Sequence, residues 1–125
     1  MELLSAAIIK NKFMNSPSIR ILVVEDEALI AMDICEKLTD MGYEVVKTAD
    51  NGADAIKFAE ELKPDIVLMD INLPGMSGIE CTKIIKAAHP DILVMMCTVY
   101  EDDEKIFKAL SVGASGYLLK KSTSD

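Results

Sequence analysis

The sequence predicts an α/β domain built on a parallel sheet with helices packed on both faces. Three observations carry that expectation. Short apolar runs alternate with amphipathic stretches of helical length along the chain, the pattern of β-α-β units. The run Ile66 to Met69 is unbroken and apolar, too short for a helix and suited to a strand buried on both faces. Acids follow such runs directly, Glu25-Asp26 after Val24 and Asp70 after Met69, where an open parallel sheet opens its ligand crevice.

Taken in order, residues 2–14 read as a helix with Leu3, Leu4, Ala7 and Ile8 on one face. Asn15-Ser16-Pro17-Ser18 is a linker, and Ile19 to Val24 is a buried strand that runs into Glu25-Asp26-Glu27. Ala28 to Met41 is amphipathic, apolar at Leu29, Ile30, Ile34 and Leu38, with Gly42 as a left-handed cap. Tyr43 to Thr48 is a strand, and Asp50 or Asn51 caps a helix over Ala53 to Leu62. Lys63-Pro64 stops that helix before the central strand, 65–70. Pro74-Gly75 makes a turn, and Ser77 or Gly78 begins a helix that ends near Ala88, before His89-Pro90. Ile92 to Cys97 is a fourth strand, Asp102 to Val112 a helix and Gly116 to Leu119 a short fifth strand.

A chain of 125 residues is one domain (1–125) that can bury a core without staples. Half of it is apolar and 27% is charged, a globular composition, and the net charge of −8 argues against contact with nucleic acid. Cys35, Cys81 and Cys97 sit inside apolar patterns without paired spacing, which reads as reduced thiols in a cytoplasmic protein. No stretch approaches the roughly 20 apolar residues of a membrane span, and the acidic start lacks the basic region of a signal peptide.

The fifth strand is followed only by Lys120-Lys121-Ser122-Thr123-Ser124-Asp125, which leaves one face of the sheet without its helix. The spare helix lies at the other end. Read in a circle, Ser122 to Asp125 caps Glu2-Leu3-Leu4, so a circular permutation is expected in which residues 2–14 fill the place of the final helix and 19–121 form the core.

Strand ends then gather the chemistry. Glu25, Asp26 and Asp70 repel one another unless a cation sits among them, and ligands that are all oxygen select a hard ion such as Mg²⁺. Lys120 would add a positive charge for a phosphoryl oxygen and Thr98 a hydroxyl. Other readings stand beside these: Glu25-Asp26 as dipole-favoured helix-start acids, Asp70 as a turn cap, Thr98 as a helix cap and Lys120 as an edge-strand lysine. Tyr117 suits a half-buried strand aromatic, His89 a surface helix terminator, and Glu101 to Glu104 a solvated helix start.

Four pieces, in order on these strand ends, resemble the receiver domains of two-component response regulators. They are Val-Val-Glu-Asp-Glu at 23–27, Met-Asp-Ile-Asn-Leu-Pro-Gly-Met-Ser-Gly at 69–78, Thr98, and Gly-Ala-Ser-Gly-Tyr-Leu-Leu-Lys at 113–120. From Met76 onward the chain is most similar to receivers that precede a helix-turn-helix domain. The resemblance implies a flavodoxin-like sheet of strand order 2-1-3-4-5. It implies that Asp70 accepts a phosphoryl group from a sensor histidine kinase or a phosphotransfer protein. Mg²⁺ would be held by Asp26, Glu25, Asp70 and the Asn72 carbonyl, while Lys120 and Thr98 bind phosphoryl oxygens and Thr98 and Tyr117 act as the switch. Many receivers carry proline after the lysine, in a cis peptide; Lys121 stands there here and leaves that peptide open. A monomer, or a homodimer formed by phosphorylation or by swapping the helix, is expected, with no contact to membrane.

Two other functions compete. One is a Mg²⁺-dependent phosphohydrolase with Asp70 as nucleophile, although Asn72 stands where such enzymes place a second acid and cannot transfer a proton. The other is an engineered permuted scaffold with a vestigial site. A receiver is a phosphoacceptor rather than a turnover enzyme.

Overall fold

The computed structural model describes residues 18–98 and 103–119, with Thr98, Asp103 and Leu119 in backbone only. The elements are β1 (Arg20–Val24), α1 (Ala28–Asp40), β2 (Glu44–Ala49), α2 (Gly52–Leu62), β3 (Ile66–Asp70), α3 (Gly78–Ala88), β4 (Leu93–Thr98), α4 (Asp103–Ser111) and β5 (Gly116–Leu119). All strand pairs are parallel, in the order β2-β1-β3-β4-β5. The expected doubly wound sheet and its strand order are therefore present. The helix expected at 2–14, the linker at 15–17, Glu101, Asp102, Lys120 and the 120–121 peptide lie outside the described residues.

Alternation along the strands divides the core in two. Leu22, Val24, Val67, Met69, Val94 and Met96 face one side, where Ala55 and Ala59 of α2, Cys81 and Ile85 of α3 and Ala109 of α4 meet them. Ile21, Val23, Ile66, Leu68, Met95, Cys97 and Leu118 face the other, under Ile34 and Leu38 of α1. β3 is buried at all five residues, as expected for a central strand covered on both faces. Met69 and Met96 are fully buried, in keeping with methionine as core filler. On the α1 side, α1 is the only described helix and packs on β1 and β2, yet Met95, Cys97 and Leu118 under β4 and β5 are at most 5% exposed.

Boundaries move by a residue or two, each for a local reason. α1 ends at Asp40 rather than Met41, because Met41 has already left helical dihedrals as the C-cap. Gly42 then adopts φ +92°, its N–H donating to the Thr39 carbonyl and that of Tyr43 to Leu38, so the helix closes through the left-handed residue glycine allows. Of the two candidate caps for α2, Asn51 takes the role, its side chain accepting from the Asp54 N–H at 2.8 Å. The helix accordingly starts at Gly52, one residue before the expected Ala53. α2 closes on Lys63, which takes the left-handed region at φ 46° just before Pro64, at the Lys63-Pro64 stop expected from the sequence. Ser77 caps α3 by accepting from Glu80 N–H at 3.2 Å. β4 is offset one residue toward its end, and Thr98 becomes its last residue.

Candidate functional site

Because all strands run one way, their last residues arrive at a single edge of the sheet. β1 hands on Glu25 and Asp26, and β3 ends on Asp70. One carboxylate oxygen of each of the three lies within 4.8 Å of the others. Glu25 and Asp70 are buried, 4% and 5% exposed, while Asp26 faces solvent.

Each acid is fixed by its local backbone. The N–H of Glu25 continues the β1–β2 ladder to the Ala49 carbonyl at 2.9 Å. Its side chain turns back, Oε2 accepting from the Glu27 N–H at 3.1 Å, and so holds the bend into α1, whose N-cap residue makes no side-chain cap of its own. Asp70 Oδ1 accepts from the Asn72 N–H at 3.3 Å. Behind it, Ile71 N–H reaches the Cys97 carbonyl at 3.3 Å and accepts back at its own carbonyl from Gly78 N–H at 2.9 Å. Gly78 is required there: a Cβ would lie 2.0 Å from the Asp70 carbonyl oxygen. The loop is pinned at its far side as well, with Met76 so close over Gly52 that a Cβ on that glycine would meet its Sδ at 3.1 Å.

This arrangement suits a small hard cation. Three carboxylates, two of them out of water, repel at close range, and no histidine or cysteine joins them. An all-oxygen set of few carboxylates with room for water on the Asp26 side is the donor chemistry of Mg²⁺.

The remaining expected residues are placed by register. Thr98 stands opposite Leu119, one position beyond the Cys97–Asp70 pair, so its backbone is at the same edge. Tyr117 stands opposite Met96 and is 41% exposed. Lys120, next in the chain after Leu119, falls outside the described residues. Lys105 was not anticipated. Its Nζ donates to Asn72 Oδ1 at 3.4 Å, from the first turn of α4 to the residue two past Asp70. No motif marks it, because the contact depends on where α4 is set down.

A cavity of about 630 Å³ opens beside the acids, between Met32 and Cys35 of α1 and Asp54 and Phe58 of α2. Lys47 Nζ lies 5.2 Å from the Phe58 ring centroid at this flank, a cation–π distance. Burial pushes the Cys35 thiol up from its ordinary value, and that of Cys81 to about 11, so both are held as neutral thiols. Free, reduced cysteines were expected at 35, 81 and 97, and none of the three is in a disulfide. His89 is partly exposed at the end of α3 and pairs with Glu60 at 2.7 Å, away from the acids, as a helix terminator would be.

An acid-lined crevice at the carboxyl edge of a doubly wound sheet is the place where open α/β domains bind their ligands. Comparison with known proteins makes the class specific. A model of the response regulator receiver domain matches residues 21–125. Response regulator GacA of Pseudomonas viridiflava is 46% identical over 103 residues, which is 82% of this chain and 48% of that protein. A LuxR-family response regulator from Aurantimonas sp. SI85-9A1 superposes with a TM-score of 0.81 at 33% identity, covering 85% of this chain and 76% of that one. Chemotaxis protein CheY4 of Vibrio cholerae gives 0.78 at 30% identity, covering 85% and 89%. The chain belongs to the receiver domain family of two-component response regulators. It spans about half the length of the curated response regulators that it matches. Among the described residues no helix is long and apolar enough to cross a membrane.

Proposed function

We propose that Asp70 is the phosphoacceptor of this receiver and that the acids around it make the transfer depend on Mg²⁺. The observation that carries the reading is the convergence of Glu25, Asp26 and Asp70 within 4.8 Å, with Asp70 buried at the end of the central strand. Glu25, Asp26, Asp70 and the backbone carbonyl of Asn72 would hold the ion. When bound, it supplies positive charge against the carboxylates and the incoming phosphoryl oxygens.

The chain's own residues do the rest. The Asn72 N–H holds Oδ1 of Asp70 and leaves the carboxylate oriented toward the crevice. An oxygen of Asp70 bonds to phosphorus as the P–N bond of a phosphohistidine breaks, and the imidazole of the donor leaves with the electron pair. The donor is a sensor histidine kinase or a phosphotransfer protein. Lys120 and Thr98 take the phosphoryl oxygens, and Thr98 with Tyr117 carries the change in charge to the β4–β5 face. Asn72 lacks an ionisable group for proton transfer, which favours an accumulating phosphoprotein over a turnover hydrolase.

The test is intact mass after incubation with Mg²⁺ and acetyl phosphate, for the parent and for Asp70→Asn. A single phosphate adduct on the parent is expected, absent from the variant and absent when the metal is chelated. An adduct that persists in Asp70→Asn would overturn the assignment.

The domain organisation rests on the apolar strip of Met95, Cys97 and Leu118, which is buried although α1 packs mainly on β1 and β2. Residues 2–14 carry a matching apolar face and supply the covering helix in this reading, as a permuted receiver would. Removing residues 1–15 should then lower stability and expose the strip to a hydrophobic dye. Unchanged stability would exclude it.

A further inference from the structure

The contact that family membership does not account for is the one between α4 and the loop after Asp70. Lys105 donates from its Nζ to Asn72 Oδ1 at 3.4 Å, while the N–H of that same Asn72 donates to Asp70 Oδ1 at 3.3 Å. A cation on one helix thus reaches the phosphoacceptor through a single intervening residue. Both Lys105 and Asn72 are exposed, whereas the Asp70 carboxylate that Asn72 contacts is buried.

The geometry points to Lys105 as a positioning residue that lengthens the life of the phosphoryl group by occupying the Asn72 amide oxygen. Hydrolysis of an aspartyl phosphate needs a water whose oxygen bonds to phosphorus while the bond from phosphorus to the Asp70 oxygen breaks. The Asp70 carboxylate leaves with the electron pair, and a water proton passes to solvent. The Asn72 amide oxygen, two residues past Asp70, is an acceptor able to orient that water. With Lys105 donating to it, one of the oxygen's two lone pairs is taken and the carboxamide is tethered to α4. Loss of the lysine releases the carboxamide to turn its oxygen toward an approaching water. The same link ties the first turn of α4 to the phosphoacceptor loop, so the helix position and the phosphoryl lifetime move together. The inference rests on Asp70 being the phosphoacceptor.

It is tested by charging the full chain with acetyl phosphate and Mg²⁺, removing the donor, and following the decay of the phosphate adduct by intact mass. Parent, Lys105→Met, Lys105→Arg, Asn72→Ala and the Lys105→Met/Asn72→Ala double variant are compared. Lys105→Met should shorten the lifetime about two- to fivefold, the scale of one solvent-exposed hydrogen bond from a cation. Lys105→Arg should restore it, and Lys105→Met should change nothing further once Asn72 is alanine. Thermal melts in the absence of phosphate report whether any variant is merely unstable, and both positions are exposed enough to expect unchanged melting. Equal lifetimes in parent and Lys105→Met overturn the inference, as does an undiminished Lys105→Met effect in the Asn72→Ala background. Failure of the parent itself to form an adduct would instead overturn the phosphoacceptor reading, and this inference with it.

Discussion

At the amino edge of the sheet, Asp65, Arg20 and Lys86 are tied into backbone, whereas at the carboxyl edge three carboxylates crowd together. Asp65 Oδ2 accepts from the Arg20 N–H at 2.9 Å, and the Arg20 guanidinium donates to the Leu62 and Lys63 carbonyls at 2.8 and 3.1 Å. Lys86 Nζ spans the Pro90 and Ile92 carbonyls at 2.7 and 2.8 Å, tying the end of α3 to the start of β4. Here charged side chains satisfy backbone groups, among them the carbonyls of Leu62 and Lys63 at the end of α2. The other edge does the reverse, holding Glu25, Asp26 and Asp70 within 4.8 Å of one another. The same parallel topology therefore has an edge where charge is tied to backbone and an edge where acids are gathered, and among the described residues only the second offers a cluster of oxygen donors.

The largest effect expected on the carboxyl edge is steric rather than electrostatic. Gly78→Ala would place Cβ 2.0 Å from the Asp70 carbonyl oxygen, against the Asp70–Ile71 backbone. The loop, the start of α3 and Asp70 cannot all keep their positions, and a loss of about 3 kcal/mol or more is expected in urea unfolding. A variant as stable as the parent would mean that this edge is looser than its contacts imply.

Opposite signs should appear when an acid is neutralised at each edge. Asp65→Ala strands the Arg20 N–H in a partly buried position and should cost about 1.5 kcal/mol or more. Asp70→Asn relieves repulsion between neighbours and should leave stability unchanged or raise it by about 1 kcal/mol, while abolishing the phosphate adduct. Destabilisation by both would erase the contrast between the edges.

Much of that contrast can be read without coordinates. An acid directly after an apolar run lies at a strand's carboxyl end, those ends share one edge if the sheet is parallel, and the alternation of elements says that it is. Glu25, Asp26 and Asp70 could be brought together on that logic alone. Thr98 follows as the last residue of a parallel strand, whereas Tyr117 was named only by resemblance, and register sets it opposite Met96. Lys105 could not be found this way. It is one lysine in an amphipathic helix, and its approach to Asn72 depends on the packing of α4, a long-range outcome. The choice of Asn51 over Asp50 as cap was likewise undecidable locally, since both side chains can accept from a helix N–H; Asn51 holds the place with Asp54 answering its amide at 3.1 Å. Lys63 in the left-handed region hid behind Pro64, whose own signal already ended the helix.

A smaller effect separates the edges by metal. On the proposed reading Mg²⁺ binds the folded acids and not the unfolded chain, so at ten times its dissociation constant it should stabilise the parent by about 1.4 kcal/mol. A rise of a few degrees in melting temperature is expected, reversed by a chelator and lost in Asp26→Asn. Asp65→Ala should respond to Mg²⁺ as the parent does, because its edge offers no acid cluster. An equal response in Asp26→Asn would place the ion elsewhere.

The smallest effect belongs to an ion pair on the helical surface. Glu60 of α2 meets His89 at the end of α3 at 2.7 Å, but the Glu60 side chain is 65% exposed. Water screens it, and holding two side chains in one geometry offsets the attraction, so Glu60→Gln should shift stability by less than about 0.5 kcal/mol. This separates proximity from burial as the source of the amino-edge stabilisation. Asp65 and Glu60 both sit within hydrogen-bond distance of their partners, yet Asp65 is partly buried and receives a backbone N–H that has nowhere else to turn. If Glu60→Gln cost as much as Asp65→Ala in urea unfolding, charge pairing alone would explain that edge. The expected threefold gap instead assigns its strength to buried backbone groups that side chains satisfy.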